Sequence, residues 1–143
     1  MKFSEIHPAE WGELKPYLDT CLLPVTGLTG GEQPFEVVYS LERLRDVMEW
    51  VEIPFKGRVV TYPAIQYGKE DIMGQINAVC ANVKSAGFKY VIVVSAEIEL
   101  DPEVIYESDL VVTPGRFESS AGQTPTAAVM EEIQRLWFSG QEA

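Results

Sequence analysis

The chain has 143 residues, the size of one ordinary domain, with 22 acidic and 11 basic residues and a formal net charge of −11. At 46% apolar and 23% charged it is too hydrophobic for a disordered chain, and so acidic a surface repels nucleic-acid phosphates and anionic lipid. The longest wholly apolar stretch, Tyr90 to Val94, is a buried-strand length and not a membrane span, and Met1–Glu5 lacks a signal peptide's apolar core. The expectation is a cytoplasmic domain with no nucleic-acid partner and no membrane insertion.

In chain order, residues 1–19 read as an N-terminal helical segment, helical from about Pro8 to Leu18 and interrupted by Pro16. Thr20–Val25 is a short apolar strand, and Gly27-Leu28-Thr29-Gly30-Gly31 is a loop. A helix follows over Phe35–Glu52, with Val37, Leu41, Leu44, Met48 and Val51 on one face, closed by Pro54 and Gly57. Arg58–Tyr62 is a second strand. The next helix carries Glu70 and Asp71 in its first turn and Ile72, Ile76, Val79 and Val83 as its buried stripe, with Gly87 as a left-handed cap. Tyr90–Ser95 is a strand without alternation, as burial on both faces demands. A short helix over Asp101–Tyr106 leads to the strand Leu110–Thr113. Thr124-Pro125 opens the last helix, whose inner face is Val129, Ile133 and Leu136.

Apolar strands that alternate with helices predict one α/β domain over residues 1–143, a three-layer α/β/α sandwich on a mostly parallel sheet of about four strands. Strand order is not readable, 2-1-3-4 being the commonest pattern. Ligands of such sheets bind beyond the strands' carboxyl ends, here the loops Pro24–Pro34, Pro63–Lys69, Ala96–Leu100 and Pro114–Gln123. The polar groups in reach are Thr26 and Thr29, Gln66 and Tyr67, Ser95, and Arg116 with Ser119 and Ser120. Glu97 is the one carboxylate expected at a strand's carboxyl end, which makes it the candidate general base.

Other chemistries find little support. Cys21 and Cys80 fall on apolar runs and read as small buried hydrophobes, and His7, just before Pro8, marks a helix entry on the surface. The Gly27–Gly31 loop matches neither phosphate-loop nor dinucleotide spacing and reads as a flexible connection. Seven acidic residues and only one basic one, Arg116, lie between Glu97 and Glu118; a solvated face is the ordinary reading and a hard-cation site the sharper one. No cofactor and no metal is expected. Trp11, Trp50, Trp137 and Phe138 are core residues at helical spacing or, alternatively, a partner surface.

Two resemblances stand beside this reading. Thr20-Cys21-Leu22-Leu23-Pro24-Val25, Phe55-Lys56-Gly57-Arg58-Val59-Val60 and Gly87-Phe88-Lys89-Tyr90-Val91 together resemble the uncharacterised bacterial YpiF-like family, which implies a cytoplasmic protein without assigned activity. Leu22-Leu23-Pro24-Val25-Thr26-Gly27 and Tyr62-Pro63-Ala64-Ile65-Gln66-Tyr67-Gly68 are similar to strand-end segments of creatininase-type amidohydrolases. That similarity implies a fold and a pocket location; the metal-binding histidines those enzymes carry are missing here. The expected function is therefore a non-catalytic domain that binds a small molecule or a protein, a second copy of the chain included, at the strand carboxyl ends. The alternative is a small hydrolase or transferase whose anionic substrate is held by the 114–124 loop, with Arg116 and the Ser119-Ser120 pair on the anion.

Overall fold

A computed structural model describes residues 1–118 and 122–142. Its sheet consists of β1 (Thr20–Val25), β2 (Val59–Thr61), β3 (Tyr90–Ser95) and β4 (Leu110–Val112). All neighbours are parallel, in the order β2-β1-β3-β4, with Cys21 opposite Val60 on one side and Val91 on the other. β1 and β3 occupy the middle and are buried at every residue, the physical reason for their unbroken apolar sequences. Pro24 is tolerated in this central position because β2 pairing ends at Leu22–Thr61. Its carbonyl accepts from Ile65 on that side, so the missing amide faces a stretch with no ladder to complete.

α2 (Pro34–Glu52) and α5 (Pro125–Glu142) cover one face of the sheet through Val47, Val51, Val129, Ile133 and Trp137. α3 (Ile72–Ser85) and α1 (Pro8–Leu14) cover the other through Ile76, Cys80 and Val83, with Trp11 and Leu14 beside them. Right-handed crossovers require this division: the chain moves one way from β1 to β2 and back past β1 to reach β3, so α2 and α3 land on opposite faces. Three layers result, as expected. Gly87, at φ +122°, and buried Phe88 close α3, and Thr124 Oγ1 accepts the Ala127 amide at the start of α5.

Several expectations are corrected. α1 stops at Leu14, since Pro16 cannot donate the amide that a further turn needs. The Asp101–Tyr106 segment is a run of turns and not a helix. Val104 and Ile105 donate to the Asp101 carbonyl, and the Asp101 carboxylate takes the Glu103 amide, a local alternative to helix. Part of the expected 114–123 loop is instead the single turn α4 (Pro114–Phe117), which sends Phe117 into the core. On α5, Trp137 is buried and Leu136 only borders the core.

The buried line of α2 is rotated as well: Leu44, Val47 and Val51 face the sheet, and Leu41 is exposed. Length accounts for this. Nineteen helical residues extend about 28 Å, whereas six strand residues of β1 extend about 20 Å and three of β2 about 10 Å. α2 starts at the carboxyl edge, so its first turns pass beyond the strands and lie beside the edge loops that carry Leu28 and Glu97.

Candidate functional site

The strand order reverses between β1 and β3, which places the fold's binding crevice at their carboxyl ends. The polar groups expected there are present, but they hold the edge together. Buried Ser95 donates through Oγ to the Val25 carbonyl at 2.7 Å. Buried Thr26 donates through Oγ1 to the Gln66 carbonyl at 2.6 Å and accepts the Leu28 amide at 3.3 Å. Its own amide donates to Ile65, so the loop after β2 is laced onto the end of β1. Gln66 contributes its backbone here, and both its side chain and that of Tyr67 are exposed. Ile98 packs against Gly27, where φ is +78° and a Cβ would approach Ile98 Cγ1 to 3.1 Å, and a cavity of about 150 Å³ remains between them and Gln66, Gly68 and Ile72.

The Gly27–Gly31 loop is a built turn and not merely a flexible connection. It does hold an anion, and the anion is the chain's own Glu32. The Glu32 carboxylate accepts the Thr29 amide at 2.9 Å, the Gly30 amide at 2.9 Å and the Thr29 hydroxyl at 3.0 Å. These donors, the Thr29 amide foremost, favour the charged form and hold the Glu32 carboxyl below its ordinary pKa. Thr29 thus serves Glu32.

Glu97 and Arg116 do not form one constellation. Glu97 Oε1 lies 3.0 Å from Arg43 Nη1 on α2, and the Arg43 guanidinium sits 5.9 Å from the centre of the Tyr39 ring. Arg116 donates through Nη1 to the Val111 carbonyl and lies 5.5 Å from the Phe117 ring. Ser119 and Ser120 lie outside the described residues. The acidic run does not gather at one edge either. Asp109, at the amino end of β4, accepts the Val91 amide at 2.8 Å and pairs with Lys84 at 3.2 Å. Among the described residues no three His, Cys, Asp or Glu side chains converge on a point where a metal ion would sit.

What the carboxyl edge does offer is the overhanging part of α2. Phe35, Val38 and Tyr39 recur at three and four, share one helix face, and are 73%, 55% and 63% exposed. Phe35 and Tyr39 line an open groove of about 620 Å³ together with Leu28, Glu32, Glu36 and Glu97. A second cavity of about 220 Å³ lies under α1 at the β2 side, walled by Trp11, Tyr62 and Phe88 with Phe3 and His7 at its border. His7 is the exposed residue before α1, and its side chain makes no capping bond.

Residues 9–134 match DUF2487, described as a protein of unknown function. The chain belongs to the DUF2487 family. No curated protein and no solved structure matches it. In this DUF2487 chain the partner-surface aromatics suggested by sequence are mostly elsewhere engaged: Trp137 is buried, Trp11 and Trp50 are half-buried, and Phe138 alone is exposed. The apolar count along this helix favours the line through Leu41 and passes over Phe35, Tyr39 and Arg43. The i, i+4 pair of Tyr39 and Arg43 was the available signal. No helix among the described residues is long and apolar enough to cross a membrane.

Proposed function

We propose that this DUF2487 chain is a non-catalytic cytoplasmic binding domain that receives a protein partner on the outward face of α2, at the carboxyl edge of the sheet. One observation carries this reading. The apolar stripe Phe35–Val38–Tyr39 projects into solvent beside the fold's usual ligand edge, while Thr26, Ser95 and Glu97 at that edge are taken up by bonds within the chain. Large aromatics exposed in a contiguous stripe are typical of interface anchors, since their burial on binding supplies most of the association energy. The likeness to YpiF-like proteins belongs to the same proposal. So does the creatininase-like pocket placement without metal ligands, which suits a domain that binds without hydrolysing.

The test compares three immobilised proteins: the unaltered chain, the Phe35→Ala/Tyr39→Ala variant, and a Tyr106→Ala control that changes an exposed tyrosine outside this groove. A partner cross-linked by the unaltered chain and the control, and lost by the double variant, is the expected result. Equal cross-linking by the double variant overturns the reading.

A further inference from the structure

The occupant of the α2 face can be named by its chemistry, on the assumption that this face is the binding surface proposed above. The groove beneath Phe35 and Tyr39 is bordered by the carboxylates of Glu32, Glu36 and Glu97, and among the described residues no Lys or Arg lines it. Glu36 Oε1 accepts the Gln33 amide and Glu97 Oε1 takes Arg43, which leaves the second oxygen of each without a partner among the described residues. The chain also supplies an example of what fits. Arg43 presents one guanidinium to an aromatic ring, Tyr39, and to a carboxylate, Glu97. One turn earlier the same two kinds of group recur as Phe35 with Glu36 and Glu32, but among the described residues no cation lines the groove there. We infer that α2 binds an arginine-bearing basic segment of another protein, whose guanidinium groups lie on Phe35 and Tyr39 and pair with the flanking glutamates.

The chemistry favours arginine over lysine, because a planar guanidinium stacks on a ring and pairs with a carboxylate at the same time. Glu32 is held in its charged form by the Thr29 and Gly30 amides, so its charge persists when a partner displaces water from the groove. The net charge of −11 adds long-range attraction for a basic segment, which raises the association rate and not the specificity.

The experiment uses the whole chain and a fluorescent nine-residue peptide of alternating glycine and arginine, followed by polarisation, beside the same peptide with neutral citrulline at every arginine. The arginine peptide is expected to bind, and the citrulline peptide to bind at least about tenfold more weakly. The Phe35→Ala/Tyr39→Ala variant keeps every charge and is expected to lose about tenfold as well. Both residues are exposed, so its melting curve should match the parent. Glu131→Gln/Glu132→Gln, which removes two charges from α5, should bind as the parent does. Equal binding of both peptides overturns the inference, as does undiminished arginine-peptide binding by the aromatic variant, which would mean unspecific charge attraction. A dimer in sedimentation that the aromatic variant abolishes also overturns it, by naming a second copy as the occupant. If the aromatic variant loses its cross-linked partner while the arginine peptide never binds, the α2 interface stands and only its basic occupant falls.

Discussion

Trp137 is the side chain that holds the far end of α5 to the sheet, and its replacement by phenylalanine tests the packing on which the α2–α5 face depends. The indole is buried, and its Nε1–H donates to Thr20 Oγ1 at 3.0 Å. Phe55 meets it edge-on at 4.8 Å between ring centres, and the Arg58 guanidinium lies 4.0 Å over it, fixed by two bonds to Asp19. Trp137→Phe removes one hydrogen bond, worth about 0.5–1.5 kcal/mol net. A weaker cation–π contact and the space left by the lost ring bring the total to about 1.5–3 kcal/mol. For a chain of this size that corresponds to a melting temperature lower by about 3–10 °C. Trp137→Ala should cost about 3–5 kcal/mol. Urea unfolding followed by circular dichroism gives the numbers, and a double-mutant cycle with Thr20→Val isolates the hydrogen bond. A coupling of about 0.5–1.5 kcal/mol is expected; a value within about 0.3 kcal/mol of zero refutes the bond as a stabilising contact.

Other outcomes follow from equally local features. A Cβ on Gly140 would collide with the Tyr90 hydroxyl, a group buried with no hydrogen-bond partner among the described residues, so Gly140→Ala should cost about 1–3 kcal/mol. Tyr90→Phe alone should be nearly neutral and should partly rescue Gly140→Ala in the same melts. Burial pushes the Cys21 thiol up to about 12 and the Cys80 thiol to about 11, so neither should react with a thiol reagent at about pH 8 until the chain is unfolded. Rapid labelling of the folded chain would contradict that burial. The folded pKa of Glu32 lies below its unfolded value, so its stabilisation is complete above the ordinary carboxylate range and is lost as pH falls through the lowered value. Carbon-13 NMR should find Glu32 among the last glutamates to protonate, and Glu32→Gln should flatten the acid limb of stability against pH.

The layers and most element positions were legible in the sequence, because burial on both faces leaves an unmistakable apolar run. Thr20–Val25 and Tyr90–Ser95 have the same bounds in sequence and structure. Gly87 and Thr124 signalled helix ends through local chemistry that needs no distant partner. The 101–106 segment turns instead of coiling because the Asp101 carbonyl and carboxylate satisfy the following amides locally, which a helical pattern in the sequence does not distinguish. The identities of the edge residues were legible too, but not their engagements. Nothing in the spacing of Ser95 and Val25, or of Arg43 and Glu97, announces a contact across 70 or 54 positions.

By itself, then, the acidic, apolar-patterned sequence determined a parallel α/β domain and the edge at which a partner would be sought. Only the tertiary structure decided what that edge presents. Helix periodicity shows which residues share a face, and packing on the sheet selects the line Leu44, Val47 and Val51 of α2 for burial. Phe35, Val38 and Tyr39 lie on the face of α2 turned away from Leu44, Val47 and Val51, and so stand exposed. The tertiary structure also sets that face beside the carboxylates of Glu32, Glu36 and Glu97, which come together from two separate stretches of chain.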